Sequence, residues 1–229
     1  MSEVEKFGET IGFILRKNAL PRAGRERSEA IAEAIFERLG ETKAPSDLGR
    51  GSYANVYWLK GNRKRILKIT SDSSDAFALK HLQESPKKSL VKVHDVFEIV
   101  PKHLWGAVTE KLSPLSSTEY DNWQQLREML EEDEAFYDVE RTLGREGVTT
   151  RYFYLLEQAK EKAGTVLPTD KMLESIFKWG KDLSSLGIKF TDLTEDNIMK
   201  KGANDILIDL GYSDVRPTRI PALQGEGIH

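Results

Sequence analysis

The chain has 229 residues, with 34 Lys and Arg against 37 Asp and Glu and a formal net charge of −3. That balance argues against a nucleic-acid coat or a polybasic membrane binder. It contains no cysteine, which excludes disulfides, thiolate metal sites and thiol nucleophiles.

Hydrophobic residues make up 39% and charged residues 31%, the texture of a globular, polar-faced chain long enough to bury a core. No apolar run reaches membrane-spanning length and the first residues lack a signal-peptide pattern, so a soluble, cytoplasmic protein with no membrane or nucleic-acid partner is expected. From the amino terminus, Val4, Phe7, Ile11 and Leu15 recur at helical spacing over 3–17. A second helix is expected over 24–40, with Ala30, Ile31, Ala34, Ile35 and Leu39 on one face and Gly40 as its stop. A linker follows around Pro45. Residues 51–60 and 65–70 alternate about a Gly61–Lys64 turn and predict a hairpin. Residues 72–84 suit a short helix capped by Asp72 or Ser73, with Phe77, Leu79 and Leu82 apolar. Residues 89–100 and 104–112 read as two more strands. The pattern is then helical over 118–143, 150–163 and 169–186, the last with Met172, Leu173, Ile176, Phe177, Leu183 and Leu186 inward. Residues 190–201 and 205–214 are two short segments joined by a turn at Gly202, and the tail from Val215 shows no periodicity.

Four segments carry chemistry. Gly49 and Gly51 permit a tight turn whose N–H groups approach a phosphate, although an ordinary hairpin turn has the same composition. Lys68 sits inside the apolar strand Ile66–Ile69. Buried there, its ammonium needs an anionic partner; at a sheet edge it would simply face water. Asp192 and Asn197 lie in a polar stretch after a long amphipathic helix, where a solvated turn is the plain alternative. Asp209 follows the apolar run Ile206–Ile208 and precedes Leu210-Gly211, a position also common for turn formers.

Taken together and in this order, the four resemble the protein-kinase fold family over residues 48–213. The family's glycine-rich loop G-x-G-x-x-G-x-V is met by Gly49, Gly51 and Val56, with Ala54 in the third glycine place. Its strand lysine matches Lys68. Its D-L-x-x-x-N matches Asp192, Leu193 and Asn197, and its D-F-G matches Asp209-Leu210-Gly211, with leucine for phenylalanine. The resemblance implies an α+β, bilobal protein-kinase-like fold: a helical extension over 1–44, a small antiparallel-sheet lobe over 45–112, and a reduced helical lobe over 113–229. It implies ATP and Mg²⁺ as cofactors. Gly49, Gly51, Ala54 and Val56 would cover the phosphates. Lys68 would hold the α- and β-phosphates and pair with an acid on the following helix, Asp75 in preference to Glu84. Backbone groups from Glu110 to Leu112 would meet the adenine. Asn197 and Asp209 would ligate Mg²⁺. Asp192 would orient an acceptor hydroxyl and take its proton.

The sequence also departs from the family. Phe190-Thr191 stands where the family has His-Arg, and Thr194 where its Ser/Thr kinases have a lysine that Lys189, Lys200 or Lys201 would have to replace. Little chain follows Gly211, so a truncated lower lobe is expected, as in compact phage-encoded and bacterial protein kinases. The resemblance thus implies a phosphotransferase acting on protein Ser/Thr hydroxyls. A catalytically weak kinase-fold binding module is a second expectation. A third is a small-molecule phosphotransferase of the aminoglycoside type, whose H-G-D is not met by residues 190–192. The four histidines show no ligand spacing, the four tryptophans suit core packing, and the acidic run Glu131–Glu134 suits an exposed helix face.

Overall fold

A computed structural model describes residues 25–40, 47–50, 54–59, 64–131, 169–188, 193–211 and 215–222. The expected helices over 3–17 and 150–163, and the second half of that over 118–143, lie outside these residues. In chain order the elements are α1 (Arg25–Arg38), β1 (Asp47–Arg50), β2 (Ala54–Trp58), β3 (Arg65–Thr70), α2 (Ser73–Glu84), β4 (Val93–Val100) and β5 (Leu104–Glu110). They continue with α3 (Ser117–Glu131), α4 (Thr169–Ser185), a 3₁₀ turn (Glu195–Asn197), β6 (Ile198–Lys201) and β7 (Asn204–Leu207). The protein is mixed α+β, as expected. Its described residues divide into two compact units, one holding α1, β1–β5, α2 as far as Gln83 and residues 218–222, the other holding Glu84–Lys92 and the described part of Leu112–Pro217.

The first unit is built on a five-stranded sheet of order β1-β2-β3-β5-β4, antiparallel at every pairing. Successive strand residues point to opposite faces, so register decides which side chains share a side. Val56, Lys68 and Ala107 lie in one row across β2, β3 and β5, and Tyr57, Leu67 and Val108 in the next. The second row joins Ile69, Phe97, Ile99 and Leu104 in a core closed by Ile31, Ala32, Ile35, Phe36 and Leu39 of α1. Each such Ile, Leu or Phe side chain taken fully from water contributes about 1.5–3 kcal/mol, so α1 is an integral layer of this unit. Its buried face includes Ala32 and Phe36, while Ala34, expected inward, is only half-buried. Gly106 lies in register with Phe97 and Ile69. A Cβ at Gly106 would collide with the Phe97 ring.

The expected hairpin is β2–β3. The linker around Pro45 gives way at Asp47 to β1, a strand that its composition, Asp-Leu-Gly-Arg, does not announce. Asp72 caps α2: its Oδ1 accepts from the Ser74 amide at 2.8 Å and the Ser74 hydroxyl at 2.7 Å. The tail returns to this unit, where the Glu98 amide of β4 donates to Pro221 O at 2.7 Å and Ile220 is buried.

In the second unit, α3 and α4 meet through Trp123 and Trp179, both buried, stacked at 5.3 Å and 29°. Met172, Leu173, Ile176 and Leu183 of α4 are buried as expected, whereas Phe177 and Leu186 are half-buried. β6 and β7 form a hairpin turned at Gly202, whose φ of 62° suits a residue without Cβ. Ser113 exchanges two backbone hydrogen bonds with Lys200 on the β6 side (2.8 and 3.0 Å), and Val91 donates to Leu207 O on the β7 side (3.0 Å).

Candidate functional site

In the first unit, β3 carries Lys68 to the sheet row shared with Val56 and Ala107, where it is 7% exposed. Its Nζ lies 2.9 Å from Asp75 Oδ2, and Asp75 is 1% exposed in the first turn of α2. Position explains the choice of acid. The β3–α2 connection is short, so the first turn of α2 lies beside the end of β3. A carboxylate there is also favoured by the unsatisfied N–H groups of a helix start. Glu84 sits exposed at the far end of the same helix.

Gly49 lies within β1, in register with Val56, after an irregularity that begins at Asp47. Ala54 and Val56 are half-buried in β2, and Gly51 lies outside the described residues. Glu110 ends β5 in register with Arg65, and Leu112 is buried. Between them the Lys111 amide donates to Lys64 O at 2.8 Å, and the Lys111 ammonium lies 3.5 Å from the centre of the Trp58 ring.

In the second unit, Asn197 and Asp209 occupy neighbouring backbone positions. β6 and β7 pair Ile198 with Leu207, and one step further the Ile208 amide donates to Asn197 O at 2.9 Å. Asp209 is the next residue. Its Oδ1 accepts from the Gly211 amide at 3.0 Å, an Asx-type turn, while Leu210 between them is fully buried. The open end of one hairpin thus carries Asn197 and Asp209 at neighbouring backbone positions, and each bears a hard oxygen donor. Asp192 lies outside the described residues, as does Lys189. Lys200 is held by Asp205 at 2.6 Å and by Glu119 of α3 at 2.9 Å. Lys201 is exposed.

Several further interactions lie around the Glu195–Asn197 turn and the start of α3. Arg127 of α3 makes a forked contact with Glu195, Nε to Oε2 at 2.9 Å and Nη2 to Oε1 at 3.3 Å. Burial, the largest influence, raises the Glu195 carboxyl, but the hydrogen bond and charge of Arg127, with a backbone hydrogen bond at Glu195 and one from Tyr120, together outweigh it, and the net position is below the ordinary value. The Tyr120 hydroxyl donates to Asp196 Oδ1 at 3.1 Å, which raises the phenol. Glu119 is lowered to about 2, first by the Ser116 hydroxyl and then by Lys200. Lys200 is lowered by burial but raised more by its bonds to Asp205 and Glu119, ending above its ordinary value. Of these, only the Ser116-x-x-Glu119 capping box could have been read in advance; Arg127 and Glu195 are 68 positions apart.

No family model matches the chain, and no curated protein matches it. Among solved structures, it is similar to a thermostable mutant of an aminoglycoside phosphotransferase, in ternary complex with ADP and hygromycin B. The identity is 11% and the TM-score 0.42, over 80% of this chain and 72% of that one. This is a distant likeness.

Proposed function

We propose that the protein is an ATP- and Mg²⁺-dependent phosphotransferase of protein-kinase-like fold, passing the γ-phosphoryl group to a hydroxyl, with protein Ser/Thr as the acceptor class. The observation that carries the nucleotide-binding part of this reading is the buried Lys68–Asp75 pair; the acceptor class rests on the sequence resemblance alone. A buried ion pair adds little to stability over apolar side chains of the same size, so an ammonium held on an otherwise apolar row suits a charge kept ready for an anion. Phosphoryl transfer asks a protein mainly for positioning and charge neutralisation. Lys68 would hold the α- and β-phosphates, and the segment Gly49–Val56 would cover them. Because the Lys111 amide is taken by Lys64, Glu110 and Leu112 are the better candidates for the adenine edge.

Asn197 and Asp209 fit Mg²⁺ by donor type. Such an ion takes one or two protein oxygens, with phosphates and waters completing its shell. The ion would neutralise phosphate charge. Asp192 would orient the acceptor hydroxyl and take its proton.

The test is transfer of labelled γ-phosphate to the protein itself, to lysate proteins and to a panel of hydroxylated small molecules. Wild type is expected to label protein, and Asp209→Ala and Asp192→Ala to lose at least about a hundredfold in rate. Labelling of small molecules alone would replace the acceptor class. ADP binding without transfer to any acceptor would leave a binding module.

A further inference from the structure

We infer that Arg127, seconded by Tyr120, is a positioning residue for Asn197; the inference rests on the metal-binding role proposed for Asn197. The three-residue turn Glu195–Asn197 connects Thr194 to β6. Its downstream side is tied to the hairpin, through Asn197 O and the Ile208 amide. Its upstream side is gripped by α3. Glu195 is 8% exposed, and a carboxylate so far from water needs a full partner. The Arg127 guanidinium meets both of its oxygens, and a planar fork on a planar carboxylate fixes orientation as well as distance. The next residue, Asp196, accepts from Tyr120. Tyr120 and Arg127 are seven positions apart on α3, two helical turns, and so share a face. One helix face therefore holds the two residues immediately before Asn197. Releasing that grip loosens the turn on one side and shifts the seating of Asn197, while the β6–β7 ladder stays closed by its own pairing.

The experiment measures Mn²⁺ binding, as a spectroscopic stand-in for Mg²⁺, with ADP present, and ADP binding with metal removed. Arg127→Ala is expected to weaken Mn²⁺ binding by about 10–100-fold, the range for residues that orient a metal ligand, and to leave metal-free ADP binding within about twofold. Arg127→Lys keeps the charge but loses the fork and should recover part of the loss. Tyr120→Phe should cost about two- to tenfold, the value of one hydrogen bond. If Arg127→Ala does not fold, Arg127→Lys and Tyr120→Phe carry the test. Wild-type Mn²⁺ affinity in the folded variants, or equal losses in Mn²⁺ and metal-free ADP binding, overturns the inference and leaves the proposed function standing. A wild-type protein that binds neither Mn²⁺ nor ADP overturns both.

Discussion

Lys68 and Asp75 are both charged and both nearly sealed from water, which makes their energetics unlike those of a surface pair. An exposed ion pair is worth about 0–1 kcal/mol. Removing one member of a buried pair strands the other charge and costs about 3–5 kcal/mol. Lys68→Met should therefore lower unfolding stability by about that amount, and adding Asp75→Leu should return much of it. A double-mutant cycle in urea reads the coupling directly. A single-mutant loss below about 1 kcal/mol would mean that Asp75 is reached by water. The cycle also matters for activity: a Lys68→Met protein that is silent because it is unfolded says nothing about phosphate binding, whereas a folded, silent double mutant does.

Between elements, the acid–base contact of most consequence joins the start of α3 to the β6–β7 hairpin. Ser116 and Glu119 form a capping box: the Ser116 hydroxyl and amide both donate to Glu119 Oε2, and the Glu119 amide donates back to Ser116 Oγ. The other Glu119 oxygen reaches Lys200. Because Glu119 is lowered to about 2 when folded, against an ordinary 4.5, its contribution is complete above about pH 4.5 and is lost as pH falls through about 2. Lys200, raised when folded, contributes fully below its ordinary value of 10.5 and loses its contribution as pH rises through the folded value. The Glu119 side chain is 39% exposed, so solvent screening limits the effect to about 1 kcal/mol. Glu119→Gln should lower the urea midpoint at pH 7 and flatten its fall between pH 4.5 and 2, more visibly at low salt. An unchanged acid limb would show that the contact adds nothing in solution.

At the scale of the whole chain, the first unit is completed from both directions in sequence. α1 covers one face of the sheet, and residues 220–222 run along the outer edge of β4, where Glu98 and Ala222 form a parallel bridge. An uncovered edge strand invites pairing with a second chain. Ending the chain after Pro217 should lower the melting midpoint and produce concentration-dependent association on size exclusion. A truncated protein that stays monomeric at the wild-type midpoint would show that the tail does not guard the edge. Among the described residues no helix is long and apolar enough to cross a membrane.

What the sequence determined by itself was local. Alternation over residues 51–60 and 65–70 located the β2–β3 hairpin, period 3.6 located α4, and the polar residues punctuating those patterns marked Lys68, Asn197 and Asp209 for chemistry. Such signals survive in one dimension because a strand or helix repeats every two or 3.6 residues. β1 escaped because Asp-Leu-Gly-Arg has no apolar alternation and is a strand only by pairing with β2. Tertiary structure decided the rest. It took Asp75 rather than Glu84 for Lys68, made α1 a layer of the sheet, laid the tail on β4 and brought Arg127 to Glu195. Each of these is a contact between segments with no shared period, fixed by burial and by the need of a buried charge for a partner.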